Sequence, residues 1–515
     1  MNEEMNRNQP EPPKPPAYSY PAAEPKPEVV YTRTERICAV VLLIAGILFV
    51  RLGMYHTAGL LTTFLSWGIT FTQIVMLKKG GHTFSVTDKI WIAVLLVFGC
   101  AYTVTSNTLL KALSTIFLVM GGNLFCFYKI RPAGVMRFLP VSLFSAVFAL
   151  SFAHCGNAFG AAASSVKQNG NARRIGQIML GLLIAVPLTL VVGCLLCSSD
   201  DHLKQILMQF INFDFDEFAP WVPHTIIGLI LGMLLFSVPY TAAHREHGLN
   251  AEECGRTVLG MRFLPNLIAY TAVTPICLLY ILYAFSQMQY FLGGFTGETG
   301  SMTYSEYARR GFFELCAVCV INLAVISCIG FFARTTGREK PMLLRLYSVF
   351  LSACSLFLAG TALAKMFLYI RFYGMTPLRV YTTWFMLLLV IGFMALIVRQ
   401  FRYGLNLGKI AVIAFTVMFA LLVFSRPDAW MIRWNADHYL TGQLHEFDTE
   451  ILYEVSDDGL AALTAYDTGE IRRLSGTEES LDHKLYEREK EMDFYEHTSL
   501  SAWILMLWKQ GAMRT

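Results

Sequence analysis

The segment from Met302 to Arg334, "MTYSEYARRGFFELCAVCVINLAVISCIGFFAR", decides the fold class of this protein. It begins with several charged residues and then continues from Leu315 to Ala333 without a charge. A helix needs roughly 17–25 apolar residues to cross the ~30 Å hydrocarbon core of a bilayer. The segment therefore predicts a transmembrane helix with a cluster of charges at one of its ends.

Comparable apolar runs recur through the 515-residue chain, which is 55% hydrophobic and only 15% charged. The mean hydropathy is +0.48, and the charged share is well below the roughly 25% of a soluble domain. Strands of a membrane barrel alternate in polarity over about ten residues, and these runs do not. Because only helices and closed barrels satisfy their backbone hydrogen bonds in lipid, the sequence predicts an all-α, polytopic integral membrane helical bundle.

The chain divides into three parts. Residues 1–36 contain the proline-rich sequence "QPEPPKPPAYSYPAAEPKPE" and are predicted to form a disordered cytoplasmic arm. Residues 37–424 are predicted to form the membrane domain, and residues 425–515 an acidic tail. Eleven spans are predicted in the membrane domain, at 37–54, 57–77, 88–106, 108–128, 175–198, 222–243, 264–287, 311–333, 346–370, 380–398 and 408–424.

The apolar segment 138–153 is shorter than these spans and contains Pro140. Basic residues precede it at 129–137 and follow it at 167–174, and Lys and Arg accumulate on the cytoplasmic side of membrane proteins. A crossing at 138–153 would place one of these basic clusters outside, so we expect this segment to be interfacial or re-entrant. With eleven spans, the N-terminus is then cytoplasmic and the tail extracytoplasmic.

The tail changes to a soluble composition in which acidic residues outnumber basic ones. The stretch "GTEESLDHKLYEREKEMDFYEH" is typical of a helix, and "SLSAWILMLWKQ" carries Trp503 and Trp508, which favour a membrane interface. All cysteines lie between Cys38 and Cys354, so no disulfide can staple the tail. We expect a small, mostly helical extracytoplasmic domain that packs against the outer membrane face.

The charges at the mouth of the segment 302–334 have two interpretations. Thr303 and Glu306 match a capping box, and Glu306, Arg310 and Glu314 follow at four-residue intervals on one helical face. Arg309 lies off that face. One interpretation is that the two glutamates neutralise Arg310. The other is an outward site for an anionic group, because arginine binds carboxylate or phosphate bidentately.

A second predicted outer corner, "LAKMFLYIRFYGMTPLRVYTTW" at 363–384, carries three further cations. Lys365 lies inside a predicted span, where it either snorkels to the interface or belongs to a functional site. Gly374 suits a tight corner, and Pro377 suits the first turn of the next helix. The candidate outer anion or polar site therefore comprises Glu306, Arg309, Arg310, Glu314, Lys365, Arg371 and Arg379.

Other motifs favour a structural interpretation. Cys194-x-x-Cys197 and Cys316-x-x-Cys319 have redox- or metal-like spacing, but cysteines within helices are typically small apolar side chains. His244-x-x-His247 lacks a third ligand at a fixed spacing, which favours a solvated loop. Pro187, Pro239 and Pro275 interrupt three spans and either provide hinges or bend the helices of an ordinary bundle. The sequence contains no phosphate-binding glycine loop, nucleophile elbow or zinc-protease helix, so we predict no catalytic residue, cofactor or metal site.

Three stretches carry a resemblance to a known family: "YSEYARRGFFEL", "YIRFYGMTPLR" and, more loosely, "WNADHYL…LHEFDTEILYEVSDDGLAAL". Over about residues 40–460, the chain resembles the bacterial membrane proteins grouped as domain of unknown function 4173, with the related group 4153. The resemblance implies a polytopic protein of the bacterial plasma membrane. It implies no established activity and no catalytic residue.

We expect a non-enzymatic membrane protein that transports or senses an anionic small molecule or a lipid headgroup from outside. The outer arginines, the proline-interrupted spans and the lack of a catalytic motif favour this function. Two other classes stay open: an integral-membrane enzyme acting on envelope precursors, and a scaffold or regulatory protein whose acidic tail binds a protein partner. The expected partners are the bilayer and an anionic ligand or a protein, and not a nucleic acid.

Overall fold

The computed structural model describes the greater part of the membrane domain and the start of the tail. The described residues are 30–55, 59–130, 150–164, 221–244, 265–296, 312–333, 341–402, 404–444, 447–448, 450–463 and 465–466. Every regular element among them is a helix, without a strand. The predicted all-α class is confirmed for this part of the chain.

Ten helices of the described residues are long and apolar enough to cross a membrane. They are α1 (Arg33–Phe49, extended by a π-helical turn Val50–Tyr55), α2 (Gly59–Lys79), α3 (Val86–Gly99, followed by the short α4, Ala101–Val104), α5 (Thr108–Ile130), α8 (Trp221–His244), α9 (Asn266–Thr296), α10 (Phe312–Phe332), α11 (Met342–Tyr373), α12 (Pro377–Phe401) and α13 (Leu407–Phe424). Each overlaps one predicted span, and the remaining prediction, 175–198, lies outside the described residues.

Five shorter helices complete the described elements. Two of them, α6 (Leu150–Ala153) and α7 (Cys155–Ser164), precede α8. The other three follow α13 and belong to the tail: α14 (Pro427–Leu440), α15 (Ile451–Glu454) and α16 (Asp457–Leu463). We call the helices α14–α16 the cap.

Local sequence sets the helix starts. Thr32 and Glu35 form a capping box at α1, with the Thr32 backbone N–H donating to Glu35 Oε2 over 2.8 Å. Ser85 and Asp88 form the same arrangement at α3. Pro377 occupies the first turn of α12, where its missing N–H costs nothing. Polar N-capping residues therefore define where several apolar runs become helical.

The closest helix packing joins α1 to α8 through glycines. A Cβ atom built at Gly232 would lie 2.7 Å from Leu42 O, and one at Gly228 would lie 2.9 Å from Gly46 O. The pattern Gly228-x-x-x-Gly232 is the small-residue motif by which membrane helices bring their backbones together. In lipid there is little hydrophobic drive between helices, so this close contact is what stabilises the pair.

Two large apolar cores lie among the described helices of the bundle. The first, formed by α1, α2, α7 and α8, is built around side chains such as Leu42 and Phe236. The second, formed by α9–α12, is built around side chains such as Leu351 and Phe393. Between the two lies an aromatic contact in which the rings of Phe98 and Phe419 stack with centroids 5.4 Å apart. The helices α3, α5 and α13 thus connect the two cores.

Contacts of the chain define the two ends of the bundle. At the base end, where α1 begins, His82 Nε2 lies 2.8 Å from Ala242 O near the end of α8. Lys129 near the end of α5 pairs with Asp88 at this end and donates to Thr83 O over 2.8 Å. At the opposite end, which we call the cap end, α13 finishes against α4 and the chain turns into the cap.

The described helices bear on the segments predicted between α5 and α8. Residues 138–149 lie outside the described residues. The chain leaves α5 at the base end and α7 ends there too, because Arg36 Nη1 donates to Ser164 O over 3.4 Å. That the segment 138–153 is interfacial or re-entrant stays a prediction. Trp221 lies at the cap end beneath the guanidinium of Arg51, and the span at 175–198 also stays a prediction.

Candidate functional site

Part of the predicted anion site lies outside the described residues. These residues are Glu306, Arg309 and Arg310, together with the capping residue Thr303. Glu314 is described: it is exposed in the first turn of α10, where a carboxylate is favourable beside the positive end of the helix dipole. The proposed ladder from Glu306 through Arg310 to Glu314 therefore stays a prediction.

Glu314 has an electrostatic partner that the sequence analysis did not pair with it. Lys365 on the neighbouring helix α11 is half-buried and interacts with the Glu314 carboxylate. Further along α10, Asn322 Nδ2 donates to Ser355 Oγ over 2.9 Å, earlier on α11 than Lys365, so the two helices run antiparallel. A second, opposite charge at the same depth lowers the cost of holding Lys365 in the membrane.

Among the described cations of the predicted site, Arg379 is the most precisely held. Its Nη1 donates to Tyr373 O over 2.9 Å and also to Gly374 O, so it satisfies carbonyls at the end of α11. The centre of the guanidinium lies 4.1 Å from the centroid of the Tyr369 ring. Gly374 makes this corner possible, because its φ of +76° is accessible mainly to glycine.

The corner leaves part of the Arg379 guanidinium available. Within the described part of the chain, Nε and Nη2 have no hydrogen-bond partner, and the side chain is half-exposed. Lys365 lies one turn before Tyr369 on α11, so these two side chains share a helical face. Arg371 is exposed and projects from another face of the same helix. The structure thus brings Glu314, Lys365 and Arg379 to one corner and leaves Arg371 apart.

A second polar cluster at the cap end was not predicted from the sequence. It surrounds Asp458, whose side chain is completely buried. Asp458 Oδ1 accepts from Arg426 Nη2 over 2.9 Å, and Oδ2 accepts from Thr105 Oγ1 over 2.6 Å and from Ser106 N over 3.0 Å. The Asp458 backbone N–H donates in turn to Ser106 Oγ over 2.9 Å. These contacts fasten α16 to the turn between α4 and α5.

The same cluster contains a second buried carboxylate, Asp428, at the start of α14. Asp428 Oδ2 accepts from Asn107 Nδ2 over 2.8 Å and from Ser456 Oγ over 2.6 Å. Asn107 Nδ2 also donates to Tyr381 Oη over 2.9 Å, which adds α12 to the network. Arg426, just before α14, has a φ of +52° and is the only non-glycine residue with positive φ among those described. We call this network the cap joint.

A further contact fixes the cap to the α11–α12 corner. Asn435 Oδ1 accepts from Met375 N over 2.7 Å, and Asn435 Nδ2 donates to Met375 O over 2.9 Å. Both atoms of one buried side-chain amide are therefore satisfied by one backbone residue. An apolar core that includes Ile432, Phe447 and Leu452 lies behind these contacts. The cap is thus clamped at two separate corners of the bundle.

The cap contacts give a structural role to residues of two of the three motifs that carry the family resemblance. Asn435 belongs to "WNADHYL" and contacts the "YIRFYGMTPLR" corner, while Ser456 and Asp458 belong to "YEVSDDGLAAL". A sequence signal was present, since Ser followed by two Asp residues is typical of a helix N-terminus. The partners at 105–107 carried the same kind of signal, since Asn107 Oδ1 accepts from Leu110 N over 3.0 Å at the start of α5, but that signal does not identify the distant cap as a partner.

Two other cap-end cations were not singled out from the sequence. Lys111 is buried in the first turn of α5, where the charge within a span was a usable signal. Arg51 lies in the π-helical turn after α1, with its guanidinium 3.2 Å from the centroid of the Trp221 ring and Nη1 3.4 Å from His224 Nδ1. Cations at the cap end are therefore not confined to the predicted site.

The remaining motifs have the following placements. Cys316 and Cys319 lie on α10 with free thiols, and no three His, Cys, Asp or Glu residues of the described chain are placed to hold a metal. His244 Nε2 lies 3.3 Å from Glu35 Oε1 at the base end. Pro239 and Pro275 lie inside α8 and α9. Cys194, Cys197, His247 and Pro187 lie outside the described residues.

Ten apolar helices and a docked cap define the class: this is a multi-pass, all-α membrane protein. The chain belongs to the family described as domain of unknown function (DUF4153), whose sequence model matches residues 92–466. The match begins within α3 and ends just after α16, so it includes both partners of the cap joint. The 4173 group, which the motifs resembled most, is not the group matched, and that finer assignment stays a prediction. No curated protein and no solved structure matches the chain.

Proposed function

We propose that this protein is a non-enzymatic membrane protein that transports or senses an anionic small molecule or a lipid headgroup at its outer face. In this proposal the cap end faces outward from the plasma membrane of a bacterium and the N-terminus is cytoplasmic. The observation that carries the proposal is the orientation of Arg379, with Lys365 nearby.

The geometry at Arg379 suits recognition of phosphate or carboxylate. One nitrogen, Nη1, is anchored to backbone carbonyls, and the aromatic ring of Tyr369 supports the guanidinium plane. An anchored guanidinium loses less conformational entropy when it binds, and its remaining N–H groups can form parallel hydrogen bonds to an oxyanion. Lys365 adds a second positive charge, which Glu314 partly offsets.

Ligand-induced stabilisation tests this proposal. Purified full-length protein in neutral detergent is heated with inorganic phosphate, acetate, short-chain phosphatidylglycerol or short-chain phosphatidylcholine. A ligand at 100 times its Kd raises the free energy of unfolding by about 2.7 kcal/mol. We therefore expect an anionic ligand to raise the melting temperature by a measurable amount. Stabilisation by inorganic phosphate would indicate a site for a free anion. Stabilisation by phosphatidylglycerol would indicate a site for a lipid headgroup.

The variant Arg379→Gln should abolish this ligand-induced rise. The matched control is Arg402→Gln, which removes an exposed arginine from the opposite end of α12. The control should respond to the anion as the unaltered protein does. An equal response from both variants would contradict the proposal, and so would stabilisation by the zwitterionic lipid alone. Uptake of the stabilising anion into proteoliposomes would then separate transport from sensing.

The clamped cap favours a second candidate, a scaffold or regulatory protein that binds a protein partner through its acidic tail. Two independent contacts, at Asp458 and Asn435, hold the cap rigidly on the bundle. A fixed cap gives Tyr466, from which the rest of the tail continues, a constant position on the bundle. Removing residues 467–515 should then abolish co-purification of one specific partner while the anion response persists. Turnover of a lipid-linked precursor by the purified protein would place it among the enzymes instead.

A further inference from the structure

A small cavity lies inside the first half of the bundle, between α1, α2, α5 and α8. It measures about 30 Å³. Its apolar lining includes Phe49, Leu118 and Leu231, and its polar lining comes entirely from α2: Ser66, Thr70 and Gln73. A cavity of this kind needs roughly 10–15 Å³ per water, so there is room for about two water molecules.

Gln73 is the residue that makes this cavity more than a packing defect. Its side chain is only 3% exposed and lines the cavity, close against Gly122 of α5. Within the described part of the chain, its amide forms no hydrogen bond. A buried amide without a partner costs roughly 1–3 kcal/mol, so this group requires a ligand in the cavity to satisfy it.

The hydroxyl groups beside Gln73 complete a set of donors and acceptors. Ser66 Oγ donates to Thr63 O over 2.8 Å, and Thr70 Oγ1 donates to Ser66 O over 3.0 Å. Both protons are thus used within α2, which leaves the oxygen lone pairs free to accept. The Gln73 amide supplies N–H donors and a carbonyl acceptor. A molecule in the cavity can therefore both donate and accept.

Polar side chains extend from the cavity toward the cap end. On α2, the buried residues Thr62, Ser66 and Thr70 recur at four-residue intervals and so form one stripe. On α5, Ser114 lies one turn from Leu118, is completely buried, and its Oγ has no hydrogen-bond partner among the described residues. Unsatisfied hydroxyl and amide groups on two facing helices indicate hydration rather than a dry gap.

We propose that the cavity at Gln73 is a hydrated binding site, located within the membrane bundle, for water or an uncharged hydrogen-bonding molecule of the same size. No residue that lines it is ionisable, so it offers no countercharge to an ion. It lies in the first half of the bundle, whereas the anion site proposed above lies at the α10–α12 corner. The two proposals therefore succeed or fail independently.

Hydroxyl-radical labelling in ¹⁸O-water tests the site in the full-length protein. Radiolysis of a bound water oxidises the side chains beside it, even where bulk solvent has no access. Phe49 and Leu118 should therefore become labelled in the unaltered protein. Phe236 is completely buried and does not line the cavity, so it should stay unlabelled and report an intact fold.

Two substitutions give the comparison. Gln73→Leu should lower labelling of Phe49 and Leu118 several-fold, whereas Gln400→Leu, at a buried glutamine in α12, should leave it unchanged. Absent labelling of Phe49 and Leu118 in the unaltered protein would overturn the proposal. Equal labelling in Gln73→Leu would also overturn it. If Phe236 becomes labelled in that variant, the smaller change Thr70→Val replaces it in the comparison, with the same expected loss.

Discussion

At the scale of single residues, the cap joint depends on a buried carboxylate. Asp458→Asn keeps the size of the side chain but removes the charge opposite Arg426 and presents N–H donors to the donors Thr105 and Ser106. We expect the free energy of unfolding to fall by about 3 kcal/mol, because one partner of a mostly buried pair is lost. Unfolding in mixed micelles with increasing SDS measures the change.

The control for this substitution lies in the same cap. Asp448 is exposed, so Asp448→Asn should change the free energy of unfolding by no more than about 0.5 kcal/mol. Similar losses from both substitutions would show that the cap joint contributes nothing beyond general surface charge.

Tyr466 predicts a pH dependence of the cap. Burial, with a further contribution from the hydrogen bond to Asp437, raises the pKa of Tyr466 to about 12. Between the ordinary pKa of about 10 and this value, the unfolded chain loses the proton first, so stability falls as the pH rises. The contribution of the protonated Tyr466 hydroxyl to the free energy of unfolding is fully present below pH ~10.

The variant Tyr466→Phe isolates this effect. We expect the melting temperature of the unaltered protein to fall more steeply than that of the variant between pH 10 and pH 12. The difference should vanish near neutral pH apart from a constant offset. Parallel curves throughout that range would disprove the assignment.

Contacts of single residues were the hardest to predict from the sequence. Glu314 was predicted at one outer corner, paired with Arg310, whereas Lys365 and Arg379 were predicted at a second corner. The cap joint was not predicted, because Thr105 and Asp458 are 353 residues apart in the chain. Helical periodicity relates residues within a few turns, and a contact between distant segments leaves no such pattern in one sequence.

At the scale of secondary structure, the sequence was far more informative. Hydrophobic length decides the spans, because a helix must match the bilayer thickness, and capping residues such as Ser85 and Asp88 decide where a helix starts. The crossing of α1 and α8 was missed, although Gly228-x-x-x-Gly232 was readable as a packing motif. That motif does not identify the partner helix.

The α1–α8 crossing predicts a position-specific effect of added side chains. Gly232→Ala places a methyl group 2.7 Å from Leu42 O, so the helices must separate, and we expect a loss of about 1–3 kcal/mol in the free energy of unfolding. Gly392→Ala is the matched control, because no atom lies within 4 Å of a Cβ there. Unfolding in SDS mixed micelles compares them, and an equal effect would mean that the crossing is not tightly packed.

At the scale of the whole molecule, the orientation in the membrane can be tested directly. In a cysteine-free background, Ser475→Cys in the tail should react with an impermeant thiol reagent in intact cells. Thr83→Cys, exposed at the base end, should react only after permeabilisation. The reverse pattern would invert the orientation, and protection of the tail alone would mean that segment 138–153 spans the membrane.

The cap joint also has a consequence for how the protein is made. Thr105 leaves the ribosome 353 residues before its partner Asp458, a delay of roughly 20–70 s at about 5–20 residues per second. For most of that time the polar turn at residues 105–107 has no carboxylate partner, since Asp428 also follows Asn107 by 321 residues. Completion of the α4–α5 corner therefore waits for synthesis of the cap, and a chain truncated before Ser456 lacks the Asp458 carboxylate that accepts from Thr105 and Ser106.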